Sequence, residues 1–246
     1  MTRYGPETYG ERIADCYDEL YPDPPTAAID VLADLAGAGP ALELGVGSGR
    51  FALPLAGRGV DVRGVDASRA MVDLLRSKPG GETIPVEISD FARFELDASF
   101  SLVYVVFNTF FGLLTQEDQV RCFECVAKHL APGGRFLIEA FVPDQGRFDR
   151  GQRVSVSRVD DDEIQLEATM HDPVRQISDS RHVVISEQGV RLYPVRIRYA
   201  WPAELDLMAR LAGLRFHQRW GGWEGQPFDR RAETHVSVWE RPPAAG

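Results

Sequence analysis

Three shortages narrow the possibilities for this chain: few cysteines, no long apolar run and little lysine. Cys16, Cys122 and Cys125 are its only cysteines in 246 residues. An odd count builds no disulfide framework and suits a reducing compartment. No uninterrupted apolar stretch reaches the roughly 18 residues of a membrane span. The opening residues Met1 to Glu7 lack the apolar core of a signal peptide. A cytoplasmic location with no membrane partner is therefore expected. The five histidines, at 129, 171, 182, 217 and 235, are scattered and show no spacing that would assemble a metal site. Positive charge is almost all arginine, and 27 Lys and Arg against 37 Asp and Glu leave a net charge of −10. That charge lacks the basic field a phosphate backbone requires, so a nucleic-acid partner is not expected and a small-molecule partner is favoured. Cys122-Phe123-Glu124-Cys125 has redox spacing, but it lies inside the helical pattern Glu117 to Leu130, and its sulfurs are read as packing groups.

What is present starts with Ala41-Leu42-Glu43-Leu44-Gly45-Val46-Gly47-Ser48-Gly49-Arg50-Phe51. Leu42 and Leu44 read as the end of a buried strand, and Phe51, Leu53 and Leu55 open an apolar helix. Three glycines then lie at the carboxyl end of a parallel strand, where open α/β sheets bind ligands. Glycine turns tightly there and leaves amide N–H groups exposed at a helix start, which suits an anionic or carboxylate-bearing cofactor. The spacing G-x-G-x-G differs from the G-x-G-x-x-G of dinucleotide enzymes, and Glu43 sits two positions before Gly45. A carboxylate there would repel a pyrophosphate and hold the α-amino group of a zwitterionic ligand, directly or through water.

This stretch resembles the first motif, E/D-x-G-x-G-x-G, of the class I S-adenosylmethionine-dependent methyltransferases. The resemblance implies S-adenosyl-L-methionine as cofactor, with Glu43, Gly45, Gly47, Gly49 and Arg50 among its contacts. Val60 to Asp66 reads as a second strand ending in an acidic residue about 20 positions beyond the glycines, which makes Asp66 the candidate ribose ligand, a role shared with NAD enzymes. Ala67-Ser68-Arg69-Ala70-Met71 looks like the family's D-x-S-x-x-M continuation. Ser68 would cap the next helix, with Ala67 and Met71 beside the adenine, although ordinary core packing also explains Met71. After the strand Ile84 to Glu87, the family pattern puts Asp90 against the adenine amino group, and Phe91 completes the pocket.

A fourth strand, Phe100 to Val106, runs into Phe107-Asn108-Thr109-Phe110-Phe111, the loop that faces the methyl group in relatives. Phe107 is a further cofactor candidate. Asn108 is a candidate for orienting the nucleophile, with a loop-capping amide as the alternative. Thr115 to Leu130 reads as an amphipathic helix, Leu130-Ala131-Pro132-Gly133-Gly134 is similar to the family's downstream landmark, and Arg135 to Phe141 makes a fifth strand. A helix over Leu205 to Ala212 and strands over Leu214 to Trp220 and Glu233 to Trp239 complete the pattern. The expected fold is α/β, a Rossmann-like methyltransferase fold with a mostly parallel seven-stranded sheet, a closing antiparallel hairpin and an inserted antiparallel β-layer. One domain over 1–246 accommodates it.

The insertion, 146–200, is read from alternation: Val154 and Val156; Ile164, Leu166 and Ala168; Val183 and Ile185; Val190, Leu192, Val195 and Ile197. It predicts antiparallel hairpins with their apolar face buried, over the site or against a second copy in a homodimer. Arg196 and Arg198 share a face of the last strand and are read as solvated. Residues 1–30 are read as a helical lid. The layout resembles antibiotic-pathway sugar N-methyltransferases, in which a tyrosine of a Y-D-x-x-Y pattern closes over the cofactor. This makes Tyr21 the second catalytic candidate, with sheet packing as the alternative.

The implied reaction is in-line attack on a sulfonium methyl by a nitrogen or oxygen of a small-molecule acceptor. An unprotonated amine needs no base, since positioning does most of the work; for a hydroxyl, His171 or Tyr21 would be the base, though nothing in the sequence places His171 in the pocket. A nicotinamide-dependent oxidoreductase and a non-catalytic cofactor-binding protein are the competing readings.

Overall fold

Short, mostly apolar segments become the inner strands. The computed structural model describes residues 4–21 and 23–243, so Met1 to Arg3, the start of the expected lid, lie outside the described residues. Strands β1 (Ala41–Leu44), β2 (Val62–Asp66), β3 (Val86–Ile88), β4 (Phe100–Val105) and β5 (Leu130–Phe141) are parallel. The insertion supplies β6 (Gln152–Val159), β7 (Glu163–Asp172), β8 (Ile177–Ser186) and β9 (Gly189–Arg198). The chain then closes the first sheet with β10 (Arg215–Trp220) and β11 (Thr234–Glu240). The seven-stranded order is β10-β11-β5-β4-β1-β2-β3, with β11 antiparallel to both neighbours. Strand order reverses between β1 and β4, so the loops leaving these two strands border the crevice where such sheets take ligands.

Helices cover both faces of that sheet. On one side, α3 (Thr26–Ala36), α4 (Ala52–Ala56) and α5 (Arg69–Arg76) bury Leu32, Leu55 and Leu75 against Tyr104 and Leu137. On the other, α6 (Gln116–His129) and α7 (Pro202–Leu211) bury Phe123, Val126 and Met208 against Phe136 and Trp239. Each such side chain contributes about 1.5–3 kcal/mol. Cys122 and Cys125 are buried in α6, and burial pushes the Cys125 thiol up to about 11 and Cys122 well above its ordinary value, which makes both poor nucleophiles.

Strand β5 begins at Leu130, not at Arg135. Its pairing with β4 jumps from Phe100–Leu130 to Leu102–Arg135, so Ala131 to Gly134 bulge out of the ladder. Gly133, at φ +78°, makes the turn. Its N–H donates to the Arg241 carbonyl, and the Arg241 N–H donates back to Gly134, pinning the bulge to the end of the chain's last strand.

The insertion is a separate four-stranded antiparallel meander, β6-β7-β8-β9. Of the two covers expected for its apolar face, the site and a second copy, the chain itself does not supply the first. The face carrying Val154, Val156, Ile164, Ile185, Val190 and Leu192 is turned outward, with Val154 at 72% and Leu192 at 55% exposure. The face turned toward the parallel sheet carries Glu167, Thr169, His171, Ser178 and Ser180, joined by Tyr193, Val195 and Ile197. Arg198 is also corrected: it is buried, and its guanidinium donates to Gln119, Gln176 and Glu204, an ion pair of 2.8 Å that ties the insertion to α6 and α7. Arg196 is paired with Asp179. Among the described residues no helix is long and apolar enough to cross a membrane.

Candidate functional site

The loop after β1 is held open by glycine. Gly45, Gly47 and Gly49 all have positive φ, and a Cβ on Gly45 would collide with Thr109 Cγ2. The loop after β4 therefore lies directly against the glycine loop, with the Phe91 ring edge alongside. A Cβ on Gly47 would come within 3.1 Å of Met71 Cε. Asp66, at the end of β2, accepts from Gly47 N–H at 2.7 Å with one oxygen and from Ser68 N–H at 2.8 Å with the other. Ser68 caps α5 by accepting from Met71 N–H. Asp90 accepts from Ala92 N–H, fixing the turn that carries Phe91.

Two buried carboxylates flank this cradle. Glu43 accepts from Tyr104 Oη at 2.9 Å, yet burial outweighs that bond and pushes its carboxyl up to about 8. Glu139, absent from the sequence-based candidates, accepts from Phe107 N–H at 2.5 Å and is also raised by burial. Only its place at the end of the fifth strand could have signalled it. Arg50 lies between them: its guanidinium sits 4.3 Å over the Phe107 ring, and its Nε and Nη1 are buried without a hydrogen-bond partner among the described residues. Leaving these two nitrogens unbonded is costly, and an anion in the cradle would relieve that cost.

Asn108 caps its own loop. Phe107 and Asn108 are consecutive left-handed residues at φ +57° and +62°, and Asn108 Oδ1 accepts from Phe141 N–H at 2.7 Å, as a loop cap does. Asn108 nevertheless lines a cavity of about 230 Å³ shared with Phe141, Phe148, Glu167, His171 and Tyr199, which the insertion roofs.

Two short N-terminal helices border the cradle. Helices α1 (Thr8–Ile13) and α2 (Tyr17–Leu20) pack Ile13 and Cys16 on Val184 and Tyr193 of the insertion. Residues 26–30, at the end of the expected lid, instead open α3 and pack beneath the sheet. The Tyr21 ring stands edge-on to Phe107 with centroids 5.0 Å apart, and its hydroxyl meets Tyr9 Oη at 2.9 Å. Asp18 accepts from Ser48 Oγ at 2.7 Å and pairs with Lys78 at 2.6 Å, and Glu11 accepts from Ser68 Oγ at 2.9 Å. These helices are thus bonded to the glycine loop and to the cap of α5. Neither Asp18 nor Glu11 was a sequence-based candidate.

A family model described as a methyltransferase domain matches residues 41–134. The chain is 30% identical over 201 residues to a cypemycin N-terminal methyltransferase from a Streptomyces species, covering 81% of this chain and 82% of that protein. It superposes on the CcbJ methyltransferase of Streptomyces caelestis with a TM-score of 0.90 at 41% identity, over 97% of this chain and 100% of the other. CalS10 of Micromonospora echinaspora, an amino pentose methyltransferase seen with S-adenosylmethionine bound, shares the fold at a TM-score of 0.67 and 22% identity, over 88% and 90% of the two chains.

Proposed function

Because the chain belongs to the class I S-adenosylmethionine-dependent methyltransferases, we propose that it methylates a nitrogen of a small-molecule acceptor held in the cavity under the insertion. The cofactor, when bound, supplies an electrophilic sulfonium methyl. The orphaned Arg50 guanidinium carries the cofactor half of this reading: beside glycine amides and a buried Glu43, it calls for a ligand bearing both a carboxylate and an ammonium. Arg50 takes the carboxylate and Glu43 faces the ammonium, while Gly45, Gly47 and Gly49 let the ligand approach the backbone. Asp66 accepts from the ribose hydroxyls with its remaining lone pairs, and Ala67, Met71, Asp90 and Phe91 enclose the adenine. Phe107, Tyr21 and Asn108 border the methyl: the first two shut out water, and Asn108 orients the acceptor.

Nitrogen is favoured over oxygen because the related proteins named for their chemistry include an N-terminal methyltransferase and, at fold level, sugar N-methyltransferases. Calorimetry with S-adenosylhomocysteine and NADH separates this reading from the nicotinamide enzyme: only S-adenosylhomocysteine binds. Mass spectrometry of mixtures containing S-adenosylmethionine and amino sugars, short peptides, phenols or aliphatic amines then separates it from a protein that only binds the cofactor. A methylated phenol with unmodified amines would overturn the choice of nitrogen.

We further propose that the outward apolar face of the insertion pairs with a second copy of the chain. Four strands of 8 to 10 residues present roughly 20 by 30 Å, about 600 Å², against the roughly 800 Å² that one partner contributes to a standard interface. Sedimentation should give twice the chain mass; a monomer at micromolar concentration would sink the proposal. The protein acts without nucleic acid and in the cytoplasm on this reading, in keeping with its charge and cysteine content.

A further inference from the structure

In the acceptor cavity, one titratable pair has no part in holding the cofactor. His171 Nε2 lies 2.9 Å from Tyr199 Oη, and the imidazole stacks on Phe148 with centroids 4.2 Å apart and planes 17° from parallel. The stack and the Tyr199 contact fix the ring, and the His171 main-chain N–H donates to Gly151 O at 2.7 Å, fixing the strand that carries it. Both residues line the same 230 Å³ cavity as Asn108, whose neighbour Phe107 carries the Tyr21 and Arg50 contacts. Alternation puts Glu167, Thr169 and His171 on one face of β7, so the strand runs a carboxylate, a hydroxyl and an imidazole along the cavity wall. Glu167 acts electrostatically on Tyr21, which puts its end of this row toward the lid.

We propose that the His171–Tyr199 pair is the proton acceptor for the substrate nitrogen, so that the enzyme takes an aliphatic amine in its protonated form and frees its lone pair inside the cavity. The inference rests on the methyltransferase reading above. In the proton step, an N–H bond of the ammonium breaks, its electron pair stays on nitrogen, and the proton ends on His171, with Tyr199 a neutral phenol before and after. The freed lone pair then forms the N–C bond as the C–S bond of the sulfonium breaks toward sulfur. His171 later returns its proton to solvent.

The surroundings suit this task. Burial lowers the pKa of His171, and Asp172 opposes that shift only in part, so the imidazole is free to accept a proton at pH 7. The charged groups around it come from three elements: Asp144 and Arg147 on the connection after β5, Arg153 on β6, and Glu167 and Asp172 on β7. The Glu167 carboxylate has no hydrogen bond or ion pair among the described residues and is placed to attract a cation. General-base assistance of this kind is worth about 10²–10⁴-fold.

The test uses the full chain with S-adenosylmethionine and three probe amines: glucosamine, alanyl-alanine and piperidine. For any probe that is turned over, the wild-type kcat/KM should fall below pH 6.5 as His171 is protonated and fall again above the pKa of the amine. His171→Gln should lose about 100-fold at pH 7 and lose the limb set by His171, its rate instead climbing up to the pKa of the amine as free amine appears. Tyr199→Phe should show a smaller loss with the same change of shape. S-adenosylhomocysteine affinity should be unchanged in both variants. Calorimetry of amine binding in two buffers of different ionisation enthalpy gives a readout without turnover: only His171→Gln should release the proton to buffer. A His171→Gln enzyme with the wild-type pH profile and kcat/KM within twofold would overturn the role, as would equal proton release by wild type and variant. A wild type that turns over none of the amines and binds none would overturn the amine reading itself, and failure to bind S-adenosylhomocysteine would overturn the methyltransferase reading beneath it.

Discussion

In the seven-stranded sheet, Leu42, Leu44, Val103 and Val105 are fully buried, with helices against them. In the four-stranded sheet Val154, Val156, Val190 and Leu192 point away from the rest of the chain. Similar side chains thus do different work in the two halves. Parallel strands need covered faces because their crossovers lay helices over them, and this half has motif-rich loops at its strand ends. The antiparallel meander needs only one covered face, and here the covered face is the polar one. A roof of Thr169, Ser178, Ser180 and His171 makes a cavity lined with hydrogen-bonding groups. It leaves the apolar face exposed. The proposed division follows: loops serve the cofactor half, and the inner side chains of strands serve the acceptor half.

That division can be broken from either side. The largest effect is expected at Asp66, where both oxygens organise the loops around the cradle. Asp66→Ala should weaken S-adenosylhomocysteine binding about 100-fold, the equivalent of two charge-assisted hydrogen bonds of ~1.5 kcal/mol each, while thermal unfolding shows the insertion still in place. Next, charge on the outer face should act on assembly alone: Val154→Glu with Leu192→Glu should halve the sedimenting mass and leave cofactor affinity within a few-fold. Loss of S-adenosylhomocysteine binding in that double variant would show that the two halves do not work separately.

A smaller effect reads the pH response of Glu43. Burial pushes its carboxyl up to about 8 from an ordinary 4.5. Below 4.5 both folded and unfolded chains hold the proton. Between 4.5 and 8 the unfolded state releases it first, so the stability of the cofactor-free protein should fall as pH rises through that window and level off above it. Glu43→Gln should remove this component of the slope. A bound ammonium favours the ionised carboxylate, so S-adenosylhomocysteine should bind more tightly as pH rises toward 8, with proton release seen in calorimetry. The smallest effect belongs to Cys125→Ala, which should leave kcat/KM within twofold, because the thiol is buried and donates only to Phe94 O.

What could be read in the sequence followed the same division. Glycines at 45, 47 and 49, the acidic strand end at Asp66 and the Ser68 cap are local signals, each bound to a backbone geometry that those residue types serve, and the structure brings them together. The Pro-Gly-Gly landmark was legible for the same reason, although its residues form a bulge in β5. Alternation correctly marked the insertion as antiparallel strands but carries no information about which face meets the rest of the chain; that depends on contacts distant in sequence. The burial of Arg198 was illegible for that reason, since its partners Gln119 and Glu204 lie on two helices of the other sheet. Glu139 and the His171–Tyr199 pair became visible only when strands distant in sequence converged on one cavity.

The central claim is that the two halves meet at a methyl transfer to nitrogen. It is tested most directly by incubating the purified chain with S-adenosylmethionine bearing a trideuterated methyl and the panel of amines, and locating the label by tandem mass spectrometry. The account predicts trideuteromethyl on an amine nitrogen, with an equal amount of S-adenosylhomocysteine. Label on oxygen or carbon would contradict it, as would cofactor binding with no labelled product from any amine.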